Sequence, residues 1–212
     1  MKKPYPEDSI EQQVPPDSEV LNLVAIEIPV SEITHPETQA LVDKMFRVAY
    51  GRQGDANFPT LVGLAAPQIG ISKRVVIIGM NAVGGGEQPE LREFINPEII
   101  ESSSEMVEGR EGCFSTSRVC GIVSRAKKVK VRAYDRQGNL FEHEFEDFPA
   151  RVAQHEIDHL DGIRFPERIT NDANLHWVEE HEFGDYRENW RNWTVNCPRE
   201  KWEAIKTGRS QS

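Results

Sequence analysis

Cysteine, basic charge and long apolar runs are all in short supply in this chain, and each shortage removes a class of function. Its 212 residues hold three cysteines, Cys113, Cys120 and Cys197. An odd set at that density makes no disulfide scaffold, so a reducing compartment is expected and any special thiol is metal-binding or reactive. With 25 Lys plus Arg against 35 Asp plus Glu, the formal net charge is -10. No basic footprint exists to neutralise phosphates, so no direct nucleic-acid partner is expected. The longest apolar stretches, such as residues 20–28 and 75–78, fall far below the ~20 residues of a bilayer span, so no membrane partner is expected either. After Met1, Lys2 and Lys3 come Pro4, Pro6, Glu7 and Asp8, where a secretion signal needs an apolar core. The expected location is cytoplasmic.

What is present organises into three parts. Residues 1–19 carry four prolines, several acids and almost no periodicity, which predicts a flexible N-terminal arm. Residues 20–170 form the expected folded domain, and residues 171–212 a Trp-rich C-terminal extension expected to pack on it. Within the domain, Pro36 suits a first helical position, and Leu41, Met45, Val48 and Ala49 recur at helical spacing until Gly51. Residues 75–78 read as a buried strand, residues 94–100 and 105–109 as short strands. Val129, Val131 and Ala133 alternate with basic residues, and Phe141, His143 and Phe145 with acids, across a turn at 135–138. That is a hairpin with one buried face. At Phe148 the period becomes helical again, with Asp147 available as a cap and Gly162 past the end. Strands followed by a helix predict an α+β fold, antiparallel sheets packed around this late helix.

The late helix carries His155-Glu156-Ile157-Asp158-His159, an HExxH motif. Imidazoles at i and i+4 stand one above the other, so both can reach one cation, while Glu156 leans toward a water in the same site. A hydrolytic metal keeps three protein ligands, and the third must come from elsewhere. The metzincin position holds Phe165, which cannot ligate. Glu179, 179 - 159 = 20 residues beyond the second histidine, fits a gluzincin-type metalloprotease. Cys113, in Glu111-Gly112-Cys113-Phe114-Ser115, would complete a thiolate and bis-imidazole set suited to zinc or ferrous iron. Both candidates stay open on these residues alone. A third segment, Val62-Gly63-Leu64-Ala65-Ala66-Pro67-Gln68, is too small-sided for a core strand and ends in an amide that both donates and accepts.

Together the three stretches resemble peptide deformylases, whose motifs are Gly-x-Gly-x-Ala-Ala-x-Gln, Glu-Gly-Cys-Leu-Ser and Gln-His-Glu-x-x-His. They appear here in the same order, at residues 61–68, 111–115 and 154–159. The resemblance implies that Cys113, His155 and His159 hold one divalent metal, Fe2+ by family resemblance with Zn2+, Ni2+ or Co2+ as alternatives. It implies Glu156 as acid and base, and Gln68 with the backbone N–H of Phe114 as donors to the formyl oxygen. Val62, Gly63 and Gly112 would line the peptide. The implied activity removes formate from the N-terminal formylmethionine of newly made peptides, so the implied partners are N-formylated nascent peptides. The remaining alternatives are the metalloprotease using Glu179 and a non-catalytic peptide-binding module.

Three positions depart from the pattern. Leu61 replaces the first glycine and Phe114 the usual leucine, and neither is a ligand. Cys120 stands where many relatives carry an arginine, which predicts weaker dependence on substrate residues beyond the first. All four tryptophans, Trp177, Trp190, Trp193 and Trp202, lie in the extension, which leans acidic; ribosome association stays open, since this charge does not allow it to be inferred. Composition says nothing of oligomeric state.

Overall fold

The computed structural model describes residues 13–51, 60–83 and 89–209. Helix α1 (Pro36–Tyr50) precedes β1 (Gly63–Ala65), β2 (Val75–Gly79), β3 (Leu91–Ser102), β4 (Met106–Gly112), β5 (Val119–Ala126), β6 (Lys128–Tyr134) and β7 (Leu140–Glu146). Helix α2 (Asp147–Leu160), strand β8 (Leu175–Trp177) and helices α3 (Phe183–Asn189) and α4 (Arg199–Thr207) complete the chain. Five strands form one sheet in the order β1-β2-β3-β6-β7, and three form another in the order β4-β5-β8. Every strand pairing in both sheets is antiparallel. The α+β expectation therefore holds.

Strand β2 shows why residues 75–78 are apolar without alternation. Successive side chains leave a strand on opposite faces. Val76 and Ile78 meet Ala150, Ala153, Ile157 and Leu160 of α2 on one face of the large sheet. Val75 and Ile77 meet Val42, Met45 and Val48 of α1 on the other. Each such side chain, fully removed from water, contributes about 1.5–3 kcal/mol. The expected hairpin is β6 and β7, in register from Lys128 opposite Glu146 to Tyr134 opposite Leu140.

Several local expectations need correction. The small-residue stretch does form a strand: β1 pairs with β2, and Leu64 and Ala65 are fully buried. Its side chains are small because α2 lies against it. Asp147 does not cap α2 from outside; it is the first helical residue, with φ +56°, and its N–H donates to the Lys127 carbonyl at 2.8 Å. That bond ties the helix start to the sheet. Gly162 follows α2 at φ +71°, and a Cβ there would lie 2.8 Å from the Asn22 carbonyl oxygen.

The inner end of the expected arm is docked rather than loose. The Val14 N–H donates to the Gln68 carbonyl at 2.9 Å, and Arg164 donates to the Pro16 carbonyl. Backbone pairing and a buried arginine supply what the apolar content of this segment does not. Residues 1–12 lie outside the described residues. At the other end, Trp202 is fully buried against Val119, Val123, Phe165 and Leu175, and β8 extends the smaller sheet. Among the described residues no helix is long and apolar enough to cross a membrane.

Candidate metal centre

The i, i+4 spacing on α2 brings the two imidazoles together edge to face, with ring centroids 5.1 Å apart. Cys113 reaches them from the other sheet. Strand β4 ends at Gly112, and Cys113 begins a single 3-10 turn (Phe114–Thr116). Thr116 closes that turn by donating to the Cys113 carbonyl from its hydroxyl at 2.8 Å and its N–H at 3.0 Å. The thiol is thereby aimed at α2. Ligand atoms of Cys113, His155 and His159 all lie within 4.8 Å of one another, with Sγ 3.4 Å from His159 Nε2.

The surroundings act oppositely on the two imidazoles. Glu111 Oε2 holds His155 Nδ1 at 2.9 Å, which leaves Nε2 for a ligand. Burial disfavours a charged His155, yet hydrogen bonds to Cys113 and Glu111 raise its pKa well above the usual imidazole value. Burial, followed by the His155 charge, holds His159 well below that value, in the neutral form that ligates. A thiolate and two imidazoles are soft donors, and their convergence fits a tetrahedral transition metal. Glu156 Oε2 is buried without a hydrogen-bond partner, and burial pushes this carboxyl up to about 7. An oxygen so placed awaits a proton or a donor beside the three ligands.

Gln68 stands next to the thiol. Its Oε1 accepts the Ala65 N–H at 2.7 Å, which turns Nε2 toward Cys113 Sγ at 3.3 Å and Ser115 Oγ at 3.4 Å. Phe114 opens the 3-10 turn, where the first N–H groups have no partner within the turn. Val62, Gly63, Gly112, Cys113, Phe114, His155 and Glu156 line one cavity of about 340 Å³, between the outer edges of β1 and β4. Glycine at 63 leaves room for the Glu156 carboxyl: a Cβ there would collide with Glu156 Oε1 and lie 2.8 Å from its Cδ, so the Glu156 side chain would have to move.

Glu179 is elsewhere. It accepts from Trp177 Nε1 at 2.7 Å and pairs with Arg118, so it is not a third ligand. Among the described residues the metal-ligating group is Cys113, His155 and His159.

Sequence reasoning passed over the charges beneath the site. Glu111 is held by Arg125 from Nε and a second guanidinium nitrogen, each at 2.9 Å, and by Arg151 at 2.8 Å. Burial would raise the Glu111 pKa, but its bonds to His155 and Arg125 drive it far below the carboxylate range. Asp158 of the HExxH segment binds both Arg125 and Arg168. Charged residues inside a helix face that is otherwise apolar were the available signal, in Arg151 and Asp158. Gln13, Arg110 and Arg187 also line the cavity, and no motif marked them.

A soft three-ligand centre with a buried carboxyl beside it, in a cleft between two antiparallel sheets, defines a metal-dependent hydrolase. The family model of polypeptide deformylase matches residues 13–174. A peptide deformylase of Desulfitobacterium hafniense is 46% identical over 160 residues, covering 76% of this chain and 95% of its own. The structure of a class I type b peptide deformylase from Acinetobacter baumannii with Met-Ala-Ser bound superposes with a TM-score of 0.66 at 37% identity, covering 80% of this chain and all of that one. That of a Synechococcus elongatus peptide deformylase with actinonin gives a TM-score of 0.63 at 29% identity, covering 81% and 82%. The chain belongs to the polypeptide deformylase family and is an enzyme of that type.

Proposed function

We propose that this chain hydrolyses the formyl group from the N-terminal formylmethionine of newly made peptides and releases formate. The observation that carries the reading is the meeting of Cys113, His155 and His159 beside Glu156 and Gln68 in one peptide-sized cleft. Cys113, His155 and His159 would hold a divalent metal, Fe2+ first and Zn2+, Ni2+ or Co2+ as alternatives. Bound there, such an ion supplies Lewis acidity and lowers the pKa of water.

Glu156 accepts the proton of the water that attacks the formyl carbon. It returns that proton to the departing amine as the C–N bond breaks, so the carboxyl ends as it began. Gln68 Nε2 and the Phe114 N–H donate to the formyl oxygen as charge develops on it. Donors fixed in advance by Ala65 and by the 3-10 turn need no reorganisation. Gly63 offers backbone groups along the open edge of β1, so the peptide adds as a strand, with Val62, whose carbonyl is held by the Gly79 N–H at 2.8 Å, lining it and Gly112 opposite. Residues 20–170 are the catalytic unit and 171–212 an extension docked on it, and the enzyme works in the cytoplasm.

The test compares formyl-Met-Ala-Ser with acetyl-Met-Ala-Ser, following formate or acetate and the free amine. Release from the formyl peptide alone, one amine per formate, supports the reading. Cleavage of a Met-Ala or Ala-Ser bond would replace it by a protease.

A further inference from the structure

At its outer end the catalytic cavity is lined by two arginines from distant parts of the chain. Arg110 lies on β4, two residues before Gly112. Arg187 lies on α3, beyond the residues 13–174 that the family model matches. Among the described residues neither guanidinium has a hydrogen-bond or ion-pair partner. Elsewhere in this acidic chain, Arg118, Arg125, Arg132, Arg136, Arg168 and Arg199 all sit on carboxylates. Burial lowers the pKa of Arg110, and the charge of Arg187 lowers it further. Two cations held together with no carboxylate partner among the described residues cost free energy that a bound carboxylate would relieve.

Cys120 explains how Arg187 comes to be there. The thiol does not face the cavity; it is 3% exposed, under Tyr186 and Val178. Its small side chain leaves room on β5 for Tyr186 of α3, and the next residue of that helix reaches the cleft. The thiol itself stays protonated, since burial pushes it up to about 12 despite Arg110. The anchor expected to be missing at position 120 is therefore available from two other positions.

We propose that Arg110 and Arg187 form a carboxylate-binding subsite that selects formylated peptides bearing a carboxylate downstream of the formylmethionine. This rests on the deformylase reading. The carboxylate can be an Asp or Glu side chain or the α-carboxylate of a very short peptide, and guanidinium forks suit both.

The test uses the full metal-loaded chain and formyl-Met-Ala-Ser-Ala amides carrying Glu or Gln in turn at the second, third and fourth residues. A second arm compares formyl-Met-Ala and formyl-Met-Ala-Ser as free acids and as amides. Glu should exceed Gln at one position by about three- to tenfold in kcat/KM, chiefly through KM, and the gain should shrink at high salt. A gain only for free acids of one length assigns the subsite to the α-carboxylate. Arg187→Gln and Arg110→Gln should each bring the ratio toward one, whereas Arg191→Gln should leave it as it is. Turnover of every peptide with ratios near one overturns the subsite while the deformylase reading stands. A preference unmoved by both arginine substitutions also overturns it. Failure to release formate from any peptide overturns the deformylase reading, and this proposal with it.

Discussion

Glu111 Oε2 lies 2.9 Å from Nδ1 of His155, so one buried carboxylate fixes the orientation of an imidazole that faces Cys113 and His159. The same carboxylate satisfies Arg125 and Arg151, which makes it both a support for the site and the centre of a buried charge network.

Glu111→Gln removes the charge while keeping the shape. Losing the partner of a metal-bound imidazole typically costs 10–100-fold in metal affinity, and about that loss is expected here. Leaving two buried guanidinium groups undercompensated should also lower stability, on the order of 3 kcal/mol. Competition with a chelator and the denaturation midpoint measure the two effects. Unchanged metal affinity would mean that His155 is oriented by other groups.

Cys113→Ser should lose most bound metal, because a neutral hydroxyl is a poor substitute for thiolate. Glu179→Ala should keep it, since that carboxylate is engaged by Trp177 and Arg118 away from the site. Metal per chain, measured on both variants, decides the third ligand.

Gly63→Ala places a methyl group against the Glu156 carboxyl. The strand is anchored by β2, so the side chain is what must move. A displacement of about 1 Å in a reacting group can cost on the order of a hundredfold, and kcat should fall by about that much. The melting temperature should change little by comparison. Normal turnover would show that Glu156 works from another position.

Trp202→Ala tests whether the extension and the catalytic unit unfold together. Trp202 is fully buried, and the Arg164 guanidinium lies 4.7 Å from its ring centroid. Arg164 also donates to the carbonyls of Ser115 and Pro16, joining both ends of the chain to the site. Truncation should cost about 3–5 kcal/mol in a single cooperative transition. A loss below about 0.5 kcal/mol, the range of surface changes, would mean the extension is only loosely attached.

The parts legible in the sequence are those whose signal is local. Helix α1, the β6–β7 hairpin and α2 show their period within one window, and His155 and His159 mark a metal site by their spacing alone. Strand β5 was not legible, because Gly121, Ser124 and Arg125 break its apolar pattern and its support comes from pairing with β4. Strand β8 is three residues long and exists through its contact with β5. Cys113 stayed level with Glu179 until the likeness of three motifs to one family separated them. The Glu111 network joins residues 14, 40 and 44 positions apart, and no periodicity carries such distances. Arg187 was hidden for the same reason, since only the packing of Tyr186 on Cys120 brings it to the cleft.

In the proposed function, formate release depends on metal held by Cys113, His155 and His159 and on proton transfer by Glu156. The direct measurement prepares the protein anaerobically at graded ferrous iron occupancy and follows formate from formyl-Met-Ala-Ser as a function of metal per chain. The rate should rise in proportion to occupancy from a baseline near zero. Glu156→Ala at the same occupancy should lose at least about a hundredfold. Formate release that is independent of occupancy, or equal in the Glu156→Ala protein, would mean that neither the metal nor this carboxyl carries the hydrolysis.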